Sequence, residues 1–135
     1  MDNIDHKIIA ILQENGRLPN SRIGTIVGIS EGTVRRRLKY LTDNKIIKIT
    51  AIPDLEKMGY SAAALVGIRT DPDKIESVAD RLAALSELQY IALTTGSFDI
   101  FVWVAVYTAK ELGIFLREKI GLIPGIRRTE TFVSL

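Results

Sequence analysis

The 135-residue chain has no cysteine, one histidine (His6) and one tryptophan (Trp103), and each scarcity removes a class of chemistry. Without thiols there is no disulfide framework, no thiolate metal site and no cysteine nucleophile. A lone histidine leaves neither a second imidazole for a serine triad nor a His/Cys set for zinc, so no catalytic, metal or cofactor site is expected. No apolar run reaches the roughly 18 to 20 residues that cross a bilayer, and Met1-Asp2-Asn3-Ile4-Asp5 lacks the basic and apolar regions of a signal peptide. A cytoplasmic protein with no membrane partner is the expectation. Strong charge of one sign is missing too, with 18 Lys/Arg against 16 Asp/Glu. The balance is uneven: ten Lys/Arg face seven Asp/Glu in residues 1–60, and eight face nine in residues 61–135.

Hydrophobic residues make up 47% of the chain, enough to pack one ordinary domain or two small ones. Asp5 is the expected cap of a first helix in which Ile8, Ile11 and Leu12 repeat at helical spacing, ending near Asn15-Gly16. Ser21 is the expected cap of a short second helix carrying Ile23, Ile26 and Val27. Gly24 within it costs roughly 1 kcal/mol relative to alanine, which is tolerable where a neighbouring helix must approach closely. Gly28 then permits the left-handed backbone of a sharp turn, and Ser30 caps a third helix from Glu31 to about Thr42, with Asn44 as its left-handed stop.

At about 100° per residue, Val34, Leu38 and Leu41 of the third helix fall on one side. Gly32, Thr33, Arg36, Lys39 and Tyr40 look outward, and Arg35 and Arg37 flank the two faces. A tight turn before a capped, basic helix is the pattern of a helix-turn-helix, whose natural partner is double-stranded DNA. A solvated helix face explains the same charge run without a partner. On the DNA reading, Thr33, Arg36 and Tyr40 are the candidates for base edges or the groove. Arg22, Ser30, Arg35, Arg37 and Lys39 are the candidates for phosphates, with Gly32 in the same interface.

From Lys45 the period changes. Ile46, Ile47, Ile49 and Ile52 are β-branched and read as a strand leading out of the first domain, its wing, which Pro53-Asp54 stops. Residues 53–60 are a linker or one helical turn. Residues 61–135 alternate strand and helix patterns: a strand over 62–68, a helix after Asp71-Pro72, strands over 89–95 and 100–106, a helix opened by the capping box Thr108-x-x-Glu111, and a strand over 126–133. The fold class is therefore α+β, with a winged helix-turn-helix in residues 1–52 and a ferredoxin-like βαββαβ sandwich in residues 61–135.

The stretch Ile100-Phe101-Val102-Trp103-Val104-Ala105-Val106 has no polar residue at either parity, although a sheet with helices on one side leaves its other face wet. A second copy of the sheet in a homodimer would cover that face, and so would loops or linker of the same chain. The turn Thr94-Thr95-Gly96-Ser97-Phe98-Asp99 offers backbone N–H groups, two hydroxyls and a carboxylate that could hold both charged ends of an amino acid. It also reads as an ordinary hairpin turn.

Taken together these residues resemble the Lrp/AsnC, or feast/famine, transcriptional regulators along nearly the whole chain. Asp2-x-x-Asp5-x-x-Ile8-x-x-Ile11-Leu12-x-x-Asn15-Gly16-Arg17 is similar to the family's opening helix. Ser30-x-x-Thr33-Val34-x-x-Arg37-Leu38-x-x-Leu41-x-x-Asn44-x-Ile46-Ile47 is similar to its recognition helix and exit strand. Thr95-Gly96-Ser97-Phe98-Asp99 fits its Thr-Gly-x-x-Asp pattern, with Ser97 where the family carries an acidic residue. The resemblance implies dimers built through the sandwich, further assembly to octamers, and amino-acid effectors bound near that turn. Two other readings stay open. One is an architectural protein that compacts DNA; the other is a siroheme decarboxylase of related build, which would want histidine and arginine around the sandwich pocket, whereas His6 lies in the first helix.

Overall fold

Apolar residues at helical spacing build the first of two units, Met1–Ile52, in the computed structural model, which describes residues 1–135. Its elements are α1 (Asn3–Glu14), α2 (Asn20–Val27) and α3 (Glu31–Asp43). Ile8 of α1, Ile23 of α2 and Val34 of α3 are fully buried in one cluster, with Ile11, Leu12, Val27 and Leu38 packed around it. Burying each such side chain contributes about 1.5–3 kcal/mol, and helices this short are marginal without such packing.

The helix ends show where local reading was displaced. Asp2, not Asp5, is the N-cap of α1: the Asp2 carboxylate accepts the Asp5 N–H at 3.0 Å and the Asp5 carboxylate accepts the Asp2 N–H at 3.1 Å. Asp5 thus takes the reciprocal position of a capping box, three residues inside. Likewise α2 begins after Pro19 with no side-chain cap, and Ser21 sits within its first turn. Gly28 has φ +84° and closes α2 as expected. Gly24 is small because the chain approaches closely there: an added Cβ would lie 2.6 Å from the carbonyl oxygen of Ile29 in the turn and 3.5 Å from the backbone of Ser30 and Glu31 at the start of α3. At the end of α3 the left-handed residue is Lys45 (φ 55°), one past Asn44, whose side-chain amide instead donates to the Tyr40 carbonyl at 2.9 Å.

The expected wing does not form. Residues 46–52 are not a strand and pair with none of the chain's four strands. β-branched residues favour a pleated surface only when a partner supplies the ladder, and within the one chain none does. Ile52 is left 91% exposed.

The second unit, Pro53–Leu135, runs β1 (Ala62–Thr70), α4 (Ile75–Ala83), β2 (Leu88–Leu93), β3 (Ile100–Val106), α5 (Ala109–Phe115) and β4 (Ile126–Val133). The strands pair antiparallel in the order β2-β3-β1-β4, the ferredoxin-like arrangement. Thr108 caps α5 by accepting the Glu111 N–H, and Glu111 returns its carboxylate to the N–H of Tyr107. Val66, Ile68, Ile100, Val102 and Val104 point to the helix side and are buried with Val78 and Leu82 of α4 and Leu112 and Phe115 of α5. Part of the expected linker belongs to this unit: the Tyr60 ring stacks on Tyr107 at 4.4 Å between centroids. No helix is long and apolar enough to cross a membrane.

Candidate DNA interface and effector turn

The outer face of α3 is organised from its N-cap. Ser30 accepts the Thr33 N–H at 3.2 Å, the two hydroxyls lie 2.9 Å apart, and Arg36 donates to Thr33 Oγ1 at 3.1 Å. A cap that only ends a helix thus also aims the guanidinium of Arg36. Tyr40, one turn on, is 53% exposed. Arg35 pairs with Glu31 at 3.1 Å and Lys39 with Asp43 at 2.8 Å, both on exposed positions one helical turn apart. Such pairs are weak in water, so either cation can exchange its partner for a phosphate. The hydrogen bond to Asp43 holds the Lys39 ammonium above its ordinary pKa. Arg22 is exposed on α2, and Gly32 is half-buried in the first turn of α3.

Arg37 does not join this set. Its Nη1 donates to both carboxylate oxygens of Asp2, at 2.8 and 2.7 Å, and to Asp5 at 3.2 Å. Only 28% of its side chain is accessible. Its charge is answered inside the unit, and the Arg37 guanidinium in turn lowers the Asp2 carboxyl from 3.8 to about 2. Arg37, expected among the phosphate contacts, thus stands in a structural tie between α3 and the start of α1. Its partners lie 35 and 32 residues away, so no local pattern announces them.

The turn after β2 is built partly for itself. Thr94 donates its hydroxyl to the Phe98 carbonyl at 2.9 Å, Asp99 accepts the Thr70 N–H at 2.9 Å, and Arg69 donates to the carbonyls of Gly96 and Ser97 at 3.0 Å each. Phe98, counted among the candidate effector contacts, is buried: its ring packs on Gly67, where an added Cβ would meet it at 2.8 Å. Thr95, Gly96 and Ser97 face outward, with Gly96 at φ +105°.

The sheet face away from α4 and α5 carries a row that crosses all four strands. The register sets Tyr90 beside Trp103, Trp103 beside Leu65 and Leu65 beside Phe132. Tyr90 and Phe132 are 63% and 44% exposed, so the chain itself leaves the ends of this row uncovered.

Known proteins share both units. Residues 1–42 match the model of the AsnC-type helix-turn-helix domain, and residues 63–135 match that of the Lrp/AsnC ligand binding domain. An HTH-type transcriptional regulator of Pyrococcus furiosus is 40% identical over 134 residues, covering 98% of this chain and 90% of its own. The regulatory protein AsnC of Haemophilus influenzae is 34% identical over 137 residues, 100% of this chain and 91% of its own. Among solved structures, a transcriptional regulator of Neisseria meningitidis in complex with L-Met aligns with a TM-score of 0.90 at 25% identity, over 100% of this chain and 90% of its own. The fold and these likenesses define a helix-turn-helix transcriptional regulator with a DNA-binding and a ligand-binding domain, not an enzyme. The chain belongs to the Lrp/AsnC family.

Proposed function

We propose that the chain is a sequence-preferring regulator whose DNA binding responds to an amino acid or a related small metabolite, and that it acts as a dimer or larger assembly built through the sandwich. The observation that carries the reading is the outer face of α3, where Ser30, Thr33 and Arg36 form one hydrogen-bonded chain beside exposed Tyr40. In this reading Thr33, Arg36 and Tyr40 meet base edges, while Arg22, Ser30, Gly32, Arg35 and Lys39 meet the sugar-phosphate backbone.

The row Tyr90, Trp103, Leu65 and Phe132 supports a second copy as the cover, because a face-to-face sheet contact is self-complementary about a two-fold axis. Two recognition helices so related enter successive major grooves roughly 34 Å apart. At the turn, Thr95, Gly96, Ser97 and the Asp99 oxygen not bonded to Thr70 are the groups offered to an effector, with Thr94 and Phe98 holding the turn in shape. The L-Met complex of the Neisseria meningitidis relative supports an amino acid as the ligand class.

The test is a titration of the full chain against DNA from upstream of its own coding sequence, with and without each common amino acid, read together with mass by light scattering. Salt-dependent binding over paired half-sites, altered in affinity or mass by one or a few amino acids, is the expected result. Uniform protection along any long DNA would replace the regulator with an architectural role. Indifference to every amino acid would remove the effector.

A further inference from the structure

We propose that Arg37 is a positioning residue for DNA reading, and that Asp2 and Asp5 support DNA binding through it although their own charge opposes DNA. The proposal rests on the reading of α3 as the base-reading helix. Arg37 follows Arg36 directly, and Asp5, Thr33, Arg36, Arg37 and Tyr40 line one hollow of about 330 Å³. The tie and the proposed base contacts therefore share a single surface. The apolar contact of Ile8 with the cluster around Val34 holds α1 and α3 together, but apolar attraction is non-directional and sets the rotation of α3 about its own axis less sharply than a hydrogen bond does. A guanidinium bonded to both oxygens of Asp2 and to Asp5 is directional and opposes that rotation. A roll of about 20° at a side-chain radius of about 5–6 Å displaces an outward group by roughly 2 Å, more than a base hydrogen bond tolerates.

Long-range electrostatics alone makes the opposite forecast. Removing a carboxylate from a DNA-facing domain raises its positive potential and should strengthen binding to any duplex. Asp2→Asn separates the two ideas well, because asparagine caps a helix as well as aspartate and so spares the start of α1. Arg37→Gln removes the cation and the Nη1 donor that reaches Asp2 and Asp5, so at a phosphate contact it would weaken every duplex alike and at this tie it costs base discrimination.

The experiment uses the full-length chain, a duplex selected from a random library by the wild type, and an unselected duplex of equal length. Affinities are measured by fluorescence anisotropy over roughly 50 to 200 mM salt. Asp2→Asn and Arg37→Gln should each lower the ratio of selected to unselected affinity on the order of tenfold, with the salt slope on the unselected duplex unchanged. Loss of folded protein lowers both affinities equally and leaves the ratio intact, so the ratio reports geometry rather than stability. A ratio that survives both substitutions overturns the proposal. So does Arg37→Gln losing equally on both duplexes with a salt slope smaller by about one, the mark of a phosphate contact. A wild type with no preference between the duplexes would instead sink the sequence-reading proposal for α3.

Discussion

The outer face of α3 and the open face of the sheet both leave large side chains in water, with opposite chemistry. On α3 the exposed groups are Arg35, Arg36, Lys39 and Tyr40, and their ion pairs are local and weakly held. On the sheet they are Tyr90 and Phe132, joined through half-buried Trp103 and Leu65 in one row by the strand register. A charged face that can exchange counter-charges suits a polyanion, whereas an apolar row suits a surface that excludes water along with it. In the proposed function the two units divide the work of a regulator: one meets DNA, the other sets how many DNA-binding units arrive together.

The largest expected effect is on assembly. Trp103→Asp places a carboxylate in the centre of the apolar row, and the outcome should be monomers by light scattering with the sandwich still folded by circular dichroism. Dimers of unchanged mass would break the contrast between the faces. Next comes Gly24→Ala, whose methyl would fall 2.6 Å from the Ile29 carbonyl oxygen, a backbone atom that cannot swing aside. The first unit should lose about 1–3 kcal/mol in thermal or denaturant melts, while the second unit is untouched.

On DNA, Arg36→Ala should cost about 1–3 kcal/mol on a selected duplex and relax base preference, while Lys39→Ala should weaken all sequences alike. Equal losses for Arg36→Ala on selected and random DNA would remove its base-reading role. The smallest effect is the acid limb of stability. The Arg37 bond holds the Asp2 carboxyl at about 2 against an ordinary 3.8. A carboxyl lowered on folding contributes stability that is fully present above its unfolded value and lost as pH falls through the folded one. Helical signal of the first unit should therefore weaken between about pH 4 and 2 in the wild type, and less steeply in Asp2→Asn. Identical acid profiles for the two would show that the tie carries no proton linkage.

Much of the fold was legible because its signals are local. The bounds of β3, the Ser30 cap, the Gly28 turn and the Thr108 cap each depend on residues within a few positions of one another. The exposed basic face of α3 was legible for the same reason, since helical spacing alone sorts Arg36 from Val34. The failures share a cause of the opposite kind. Asp5 looked like a cap and became the inner half of a capping box, as an acidic residue in a first turn suits either position. Residues 46–52 looked like a strand because strand propensity is local, whereas a strand exists only when another supplies hydrogen bonds.

The amino-acid sequence by itself determined the helical and strand periods, the caps, the α+β order and the basic outer face of α3, because each is set by neighbours along the chain. Tertiary structure alone decided that Arg37 bonds to Asp2 at the start of α1, that the Phe98 ring packs on Gly67, and that Tyr90, Trp103, Leu65 and Phe132 line up in one row. Those three outcomes depend on which residues far apart in sequence meet in space, and only the packed chain settles that.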